Sequence, residues 1–316
     1  MTSASPGVGP ALAPSSVTCE AVLSTLVYYS LFRFPLTTTE IHRLTGQPTS
    51  LAVVETTIDE LAARGLLGRQ GEYAFLGQAS DIVEREEAQG RARAFDPRIL
   101  RRARLIGGFP FVRGVGLSGT VSKGILKPGD DVDFFVVTSP GRLWLCRTIL
   151  MVFKRVALLN SHRLFCVNYL VSEERMTLPD RNVFTAMEVA WLRPVWGAGW
   201  YEEFLSANRW IGEFLPSWRP FEGRPGSERP GRVRLKLERA LSGAWGDRAE
   251  ARVRSMIEQR NRRKYRHLSP EDFAVAFRSE AHSSKHHPGN NQGRVMARYE
   301  SALAGWLARL RAARSE

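Results

Sequence analysis

Between residues 114 and 138 the chain reads GVGLSGTVSKGILKPGDDVDFFVVT. A glycine-rich turn leads into a short basic loop. Asp131 and Asp133, one residue apart, then stand at the mouth of an apolar strand. Carboxylates in that place must either face water or hold a cation, and the rest of the sequence has to decide which. The pattern predicts a strand over residues 112–117, a turn with a short helix over 119–124 and a second strand over 132–138. A helix over 142–159 and a third strand over 163–171 continue it, so an α/β core is expected over 109–175.

Phosphate-cradling loops use glycine because backbone N–H groups can then approach anionic oxygens without a Cβ in the way. A following helix N-terminus adds partial positive charge. Ser118, Gly119 and Thr120 supply such a turn, and Lys123 adds a point charge. In a strand, residues i and i+2 share a face, so Asp131 and Asp133 would repel each other unless a cation stands between them. Mg²⁺ is commonly held by one or two carboxylates together with substrate phosphates. A glycine turn beside Asp-x-Asp is therefore a coherent nucleotide site. The alternative is a solvated strand entrance after the turn at Lys127-Pro128-Gly129-Asp130.

These residues resemble the nucleotidyltransferase superfamily typified by DNA polymerase beta. Its motif is a Gly-Ser pair followed nine to thirteen residues later by Asp-x-Asp between apolar residues. Here Gly119-Thr120, ten residues and Asp131-Val132-Asp133 fill that pattern, with Thr120 keeping the hydroxyl of the usual serine. The resemblance covers residues 114–171. It implies an α+β fold, with a nucleotidyltransferase-like mixed sheet and flanking helices. It also implies an enzyme that moves a nucleoside monophosphate from an NTP to an acceptor and releases pyrophosphate. Asp131 and Asp133 would hold Mg²⁺ or Mn²⁺, and Ser118, Gly119, Thr120 and Lys123 would position the phosphates. The family usually adds a third carboxylate on the next strand, toward the acceptor. Asn168 stands there in this chain, so a catalytically inactive member of the fold, acting as a nucleic-acid-binding or regulatory module, is the competing expectation.

The flanks are read from periodicity and caps. Residues 1–16 are rich in Pro, Gly, Ser and Ala and read as a disordered tail rather than a signal peptide. Three helices over 17–32, 39–45 and 51–64 precede a two-stranded wing over 68–75, so residues 17–78 resemble a winged helix-turn-helix module. Its third helix carries Glu55, Asp59 and Glu60, which favours packing or protein contact over DNA reading. Residues 79–108 form a connector of two helices, the second opening at Asp96-Pro97. Residues 176–222 continue as helices broken by a turn at Arg193-Pro194, with Trp191, Trp196, Trp200, Trp210 and Trp218 read as a helical core rather than a platform for a nucleobase. A linker over 223–231 leads to a basic helical region over 232–316.

That last region holds nineteen Lys and Arg against nine Asp and Glu, so about +10 of the chain's +13. The excess fits an anionic partner: the nucleoside triphosphate, and possible nucleic acid. A solvated basic helix face reads equally well for Arg252, Arg254, Arg260, Arg262, Arg263, Lys264 and Arg266. The stretch from His282 to Pro288 reads as a polar loop, with Lys285, Asn290, Asn291 and Gln292 toward the site mouth. Cys19, Cys146 and Cys166 have no paired spacing and fit a reducing, cytoplasmic setting. The longest apolar stretch, residues 143–159, is broken by Arg147, Lys154 and Arg155, so no membrane span is expected.

Overall fold

The computed structural model describes residues 15–158, 165–223, 225–226, 230–286 and 291–315. Most of the expected N-terminal tail, His162, and His287 to Asn290 lie outside them. The chain is mixed α and β and divides into two compact units. One takes Met1–Glu84, Gly212–Arg219 and Arg298–Glu316, the other Arg85–Ile211 and Pro220–Ala297.

The first unit begins with α1 (Ser16–Ser30), β1 (Leu36–Thr37), α2 (Thr38–Leu44), α3 (Leu51–Ala63), β2 (Gly68–Gln70) and β3 (Tyr73–Phe75). Side-chain caps start the helices. Ser50 Oγ accepts from Val53 N–H, and Thr37 and Glu40 make a reciprocal capping box on α2. Such a cap contributes about 1 kcal/mol. Val22, Leu23, Leu26, Ile41, Leu44, Val54, Ile58 and Leu61 fill the centre. The wing is a three-stranded antiparallel sheet, not a two-stranded one: β1 pairs with β3, which pairs with β2. A strand of two residues is too short to leave a periodic signal. Arg69 on β2 pairs with Glu55 and Asp59 of α3, so the wing's one arginine is occupied by the acids of the third helix.

α4 (Ser80–Gly107) is one continuous helix, where two had been expected. Pro97 removes one backbone donor, but Ala92, Ile99, Ala103 and Ile106 on either side are buried in the core of the second unit and hold the helix together. Next come β4 (Val112–Ser118), α5 (Gly119–Ser122), β5 (Asp133–Thr138), α6 (Leu143–Ala157), β6 (Cys166–Ser172), α7 (Val183–Ala190), β7 (Arg193–Trp196), α8 (Trp200–Ala207) and α9 (Ile211–Phe214). The chain continues through α10 (Arg232–Ala240), α11 (Gly243–Lys264), α12 (Pro270–Ala276), β8 (Phe277–Ser279), β9 (Ser283–His286) and α13 (Asn291–Ser315).

The second unit is built on a six-stranded mixed sheet in the order β7-β4-β5-β6-β9-β8. β4 and β5 are antiparallel, and β5 and β6 are parallel, joined through α6. One face carries Val115, Leu117, Phe134, Val136 and Leu170 against α4 and α6, with Ala249, Val253 and Ile257 of α11 packed at its margin. Glu250 of α11 accepts from the Trp144 and Leu145 N–H groups at 2.7 and 2.8 Å, capping the start of α6. The other face carries Phe135, stacked on Tyr169 and Trp200 with ring centroids 5.6 and 6.1 Å apart.

Three of these strands differ from the sequence reading. Residues 193–196 form edge strand β7 rather than a turn, and an edge is where a proline without N–H fits a sheet. Residues 277–279 and 283–286 form β8 and β9 inside the expected helical region. The supposed polar loop is thus largely a strand on the far edge of β6. Ser283, Ser284 and Lys285 are buried by that pairing, although nothing in their apolar pattern announces a strand. Among the described residues, no helix is long and apolar enough to cross a membrane.

Candidate functional site

Asp133 is the first residue of the central strand β5. It lies opposite Ser118, the last residue of β4, and Cys166, the first of β6. The glycine turn and Asp133 are therefore brought together by sheet register. Gly119 has φ +67°, and a Cβ there would come within 2.7 Å of Asp133 Oδ2. Both the left-handed backbone and the close approach require glycine at this position.

Asn168, one strand over, donates from Nδ2 to Asp133 Oδ1 at 2.6 Å. A register shift in β6 between its pairings with Phe134 and Phe135 brings it there. The Cys166 thiol donates to Asn168 Oδ1 at 3.1 Å and also hydrogen-bonds Asp133. Burial pushes the Asp133 carboxyl up to about 6; the Cys166 contact and the Lys123 charge oppose this, and the Asp131 and Glu188 charges add to it. Burial beside that carboxylate pushes the Cys166 thiol up to about 12.

The remaining expected residues are placed as follows. Asp131 is exposed and precedes β5 instead of lying within it, so the shared-face argument for a strand does not govern its direction. Its charge still acts on Asp133. Thr120 Oγ1 donates to Asp130 Oδ2 at 3.1 Å, and Asp130 also accepts from Lys127 N–H at 3.0 Å, so this hydroxyl ties down the loop between the two motifs. Ser118 Oγ reaches Asp133 O at 3.5 Å. Lys123 Nζ donates to Gly119 O at 3.3 Å and pairs with Glu188 Oε1 of α7 at 3.0 Å. Glu188 was missed by the sequence reading; its one signal is being the sole charged residue in the apolar helix VFTAMEVA.

A second polar cluster lies farther across the sheet, in the row Phe135, Tyr169, Lys285, Arg278 set by strand pairing. Asp180 accepts from Arg278 Nη2 at 2.8 Å and stands 3.6 Å from Lys285 Nζ, which donates to Gln292 Oε1 at 2.7 Å. These groups satisfy one another. On α11, Arg254 bonds Ser279 O and Arg262 bonds Glu258, while Arg260, Arg263 and Lys264 line an open surface depression with Met256 and Gln259. Of the five tryptophans expected as core, Trp196, Trp200 and Trp210 are buried, while Trp191 and Trp218 are half-buried.

Among the described residues no group of three His, Cys, Asp or Glu side chains stands ready to hold a metal by itself. Nor does any Lys or Arg among them form an ion pair with Asp131 or Asp133. A half-buried carboxylate whose ionised form is penalised by burial and by two neighbouring acids is a site that a cation relieves. Asp133 supplies one carboxylate of the kind a divalent ion takes together with substrate phosphates, and Asp131 acts on it by charge from two residues away. No protein-family model, curated protein or solved structure matches the chain.

Proposed function

We propose that the second unit is a nucleotidyltransferase of the polymerase-beta-like type, moving a nucleoside monophosphate from an NTP to an acceptor and releasing pyrophosphate. The single observation that carries this reading is the contact of Gly119 with Asp133. The two halves of the motif, separated by thirteen residues, meet at the end of the central strand.

On this reading Asp131 and Asp133 hold Mg²⁺ or Mn²⁺, which when bound neutralises the triphosphate and its leaving group. The chain's own groups do the rest. Gly119 lets the turn lie against the Asp133 carboxylate, Ser118 and the Asp130-Thr120 clasp fix the turn, and Lys123 supplies positive charge beside it. Asn168 holds Asp133 Oδ1 by an amide proton and, being neutral, offers an acceptor no strong base. The first unit, with its α-β-α-α-β-β order, fits the winged-helix reading; with Arg69 paired to Glu55 and Asp59 of α3, the wing's one arginine is engaged within the module, which suits protein contact rather than DNA.

The test is nucleotide binding followed by thermal shift with each NTP, with and without Mg²⁺, and an assay for pyrophosphate. Metal-dependent stabilisation by at least one NTP, lost in the Asp131→Ala/Asp133→Ala double variant, is expected, together with pyrophosphate release. Salt-sensitive nucleic-acid binding retained in the double variant, with no pyrophosphate from any NTP, would establish the silent-module reading instead.

A further inference from the structure

Asn168 leaves the proposed reaction without a base, yet a third carboxylate does reach the site from outside the three central strands. We propose that Glu188 is held in reserve by Lys123, is displaced when a substrate triphosphate takes that lysine, and then receives the acceptor's proton. This inference rests on the nucleotidyltransferase reading and names the residue that completes it.

The placement is specific. On α7, Ala186, Met187, Val189 and Ala190 are buried, so packing fixes the helix and leaves Glu188 as its one charged side chain. Asn182 Oδ1 accepts from Thr185 N–H at 3.0 Å and anchors the helix start. Lys123 Nζ joins Glu188 Oε1 at 3.0 Å to Gly119 O at 3.3 Å, and Gly119 abuts Asp133 Oδ2. Glu188, Lys123, Gly119 and Asp133 thus form one contiguous chain of contacts at the end of β5. The Lys123 side chain is 15% exposed and that of Glu188 34% exposed, so an incoming anion can reach the pair from solvent.

The chemistry of the exchange follows from charge. An ammonium paired to a single carboxylate will prefer a polyphosphate, which offers more negative charge and more acceptor oxygens. While Lys123 holds Glu188, the lysine is unavailable to phosphate and the carboxylate oxygen Oε1 is occupied by the ammonium. Once the triphosphate takes Lys123, both restraints end together. The acceptor hydroxyl then gives its proton to the Glu188 carboxylate as its oxygen forms a bond to the α-phosphorus. The bond from the α-phosphorus to the oxygen bridging to the β-phosphate breaks, and its electron pair leaves with pyrophosphate. The exchange also couples the base to substrate: no competent carboxylate is released until a triphosphate is seated.

The experiment is calorimetric titration of the full chain with a non-hydrolysable NTP analogue and Mg²⁺, using whichever base the wild type binds. Glu188→Gln removes the competing charge with little change of shape, so it should bind the analogue about five- to tenfold more tightly. Lys123→Met should bind more weakly, and adding Glu188→Gln to Lys123→Met should give no further gain. Pyrophosphate release with the natural NTP should fall at least about tenfold in Glu188→Gln and return in part in Glu188→Asp. Unchanged or weaker analogue binding by Glu188→Gln, or a gain that persists without Lys123, overturns the exchange. Equal pyrophosphate release by Glu188→Gln and wild type overturns the role as base. In all these cases nucleotide binding by the wild type itself survives. Absence of any metal-dependent binding by the wild type is a different result, and removes the nucleotidyltransferase reading with the inference.

Discussion

Asp133 and Asp180 belong to the same compact unit and are both substantially withdrawn from water, but they have opposite environments. Asp180 is met by Arg278 at 2.8 Å and by Lys285 at 3.6 Å. Burial alone would raise its carboxyl, but the Arg278 hydrogen bond and both positive charges hold it below the usual range. Asp133 is met by an amide and a thiol, with Asp131 and Glu188 as charged neighbours and Lys123 diverted to Glu188. Its carboxyl is pushed up to about 6. The protein can neutralise a buried aspartate from its own residues, and does so at Asp180. At Asp133 no Lys or Arg among the described residues does so. On the proposed nucleotidyltransferase reading, that carboxylate is the place a cation from outside would take.

The largest effect expected from breaking this contrast is at Asp180. Asp180→Ala removes the carboxylate shared by Arg278 and Lys285, leaving Arg278 with Glu280 at 3.4 Å and Lys285 with Gln292, and denaturant unfolding should show a loss of about 3 kcal/mol. Because the Asp180 carboxyl is lowered in the folded protein, its contribution is present above the unfolded value near pH 4 and fades as pH falls through the folded value. A shallower acid limb in Asp180→Asn than in the wild type is the matching observation.

At Asp133 the sign is reversed. A carboxyl raised on folding contributes most below the unfolded value near 4, and that contribution is lost as pH rises toward about 6. Asp133→Asn should therefore be more stable than wild type at pH 7 by about 1–3 kcal/mol in metal-free buffer, with the gap closing near pH 4. The smallest of the three is Asn168→Asp. It replaces a donor to Asp133 by a second carboxyl and should cost about 1–2 kcal/mol without metal. It should also tighten Mn²⁺ binding, read by titration.

Legibility in the sequence followed the range of the forces involved. A cap acts over three residues, so Ser50 was readable from residue type, while the run Thr37-Thr38-Thr39 marked a helix start without showing which threonine caps it; Thr37 does. The alternation into Phe134 and Val136 marked β5, and the spacing of Gly119, Asp133 and Asn168 placed each at a strand end or strand position that pairing then joined. What escaped was tertiary. Ser283, Ser284 and Lys285 become a buried strand because β6 has an open edge, a fact absent from their own polarity. Pro194 reads as a breaker until β4 is known to need an edge partner. Glu188 lies 65 residues beyond Lys123, and no local pattern links the two.

The claim that Asp133 is left for an external cation is tested most directly by comparing the stabilities of wild type and Asp133→Asn at pH 7, first in metal-free buffer and then with Mg²⁺ and a non-hydrolysable NTP analogue. The account predicts that the variant is the more stable protein in the first condition and the less stable in the second, because only the wild type can bind the metal-bound nucleotide. The same ranking in both conditions, with no stabilisation of the wild type by metal and nucleotide, would contradict it.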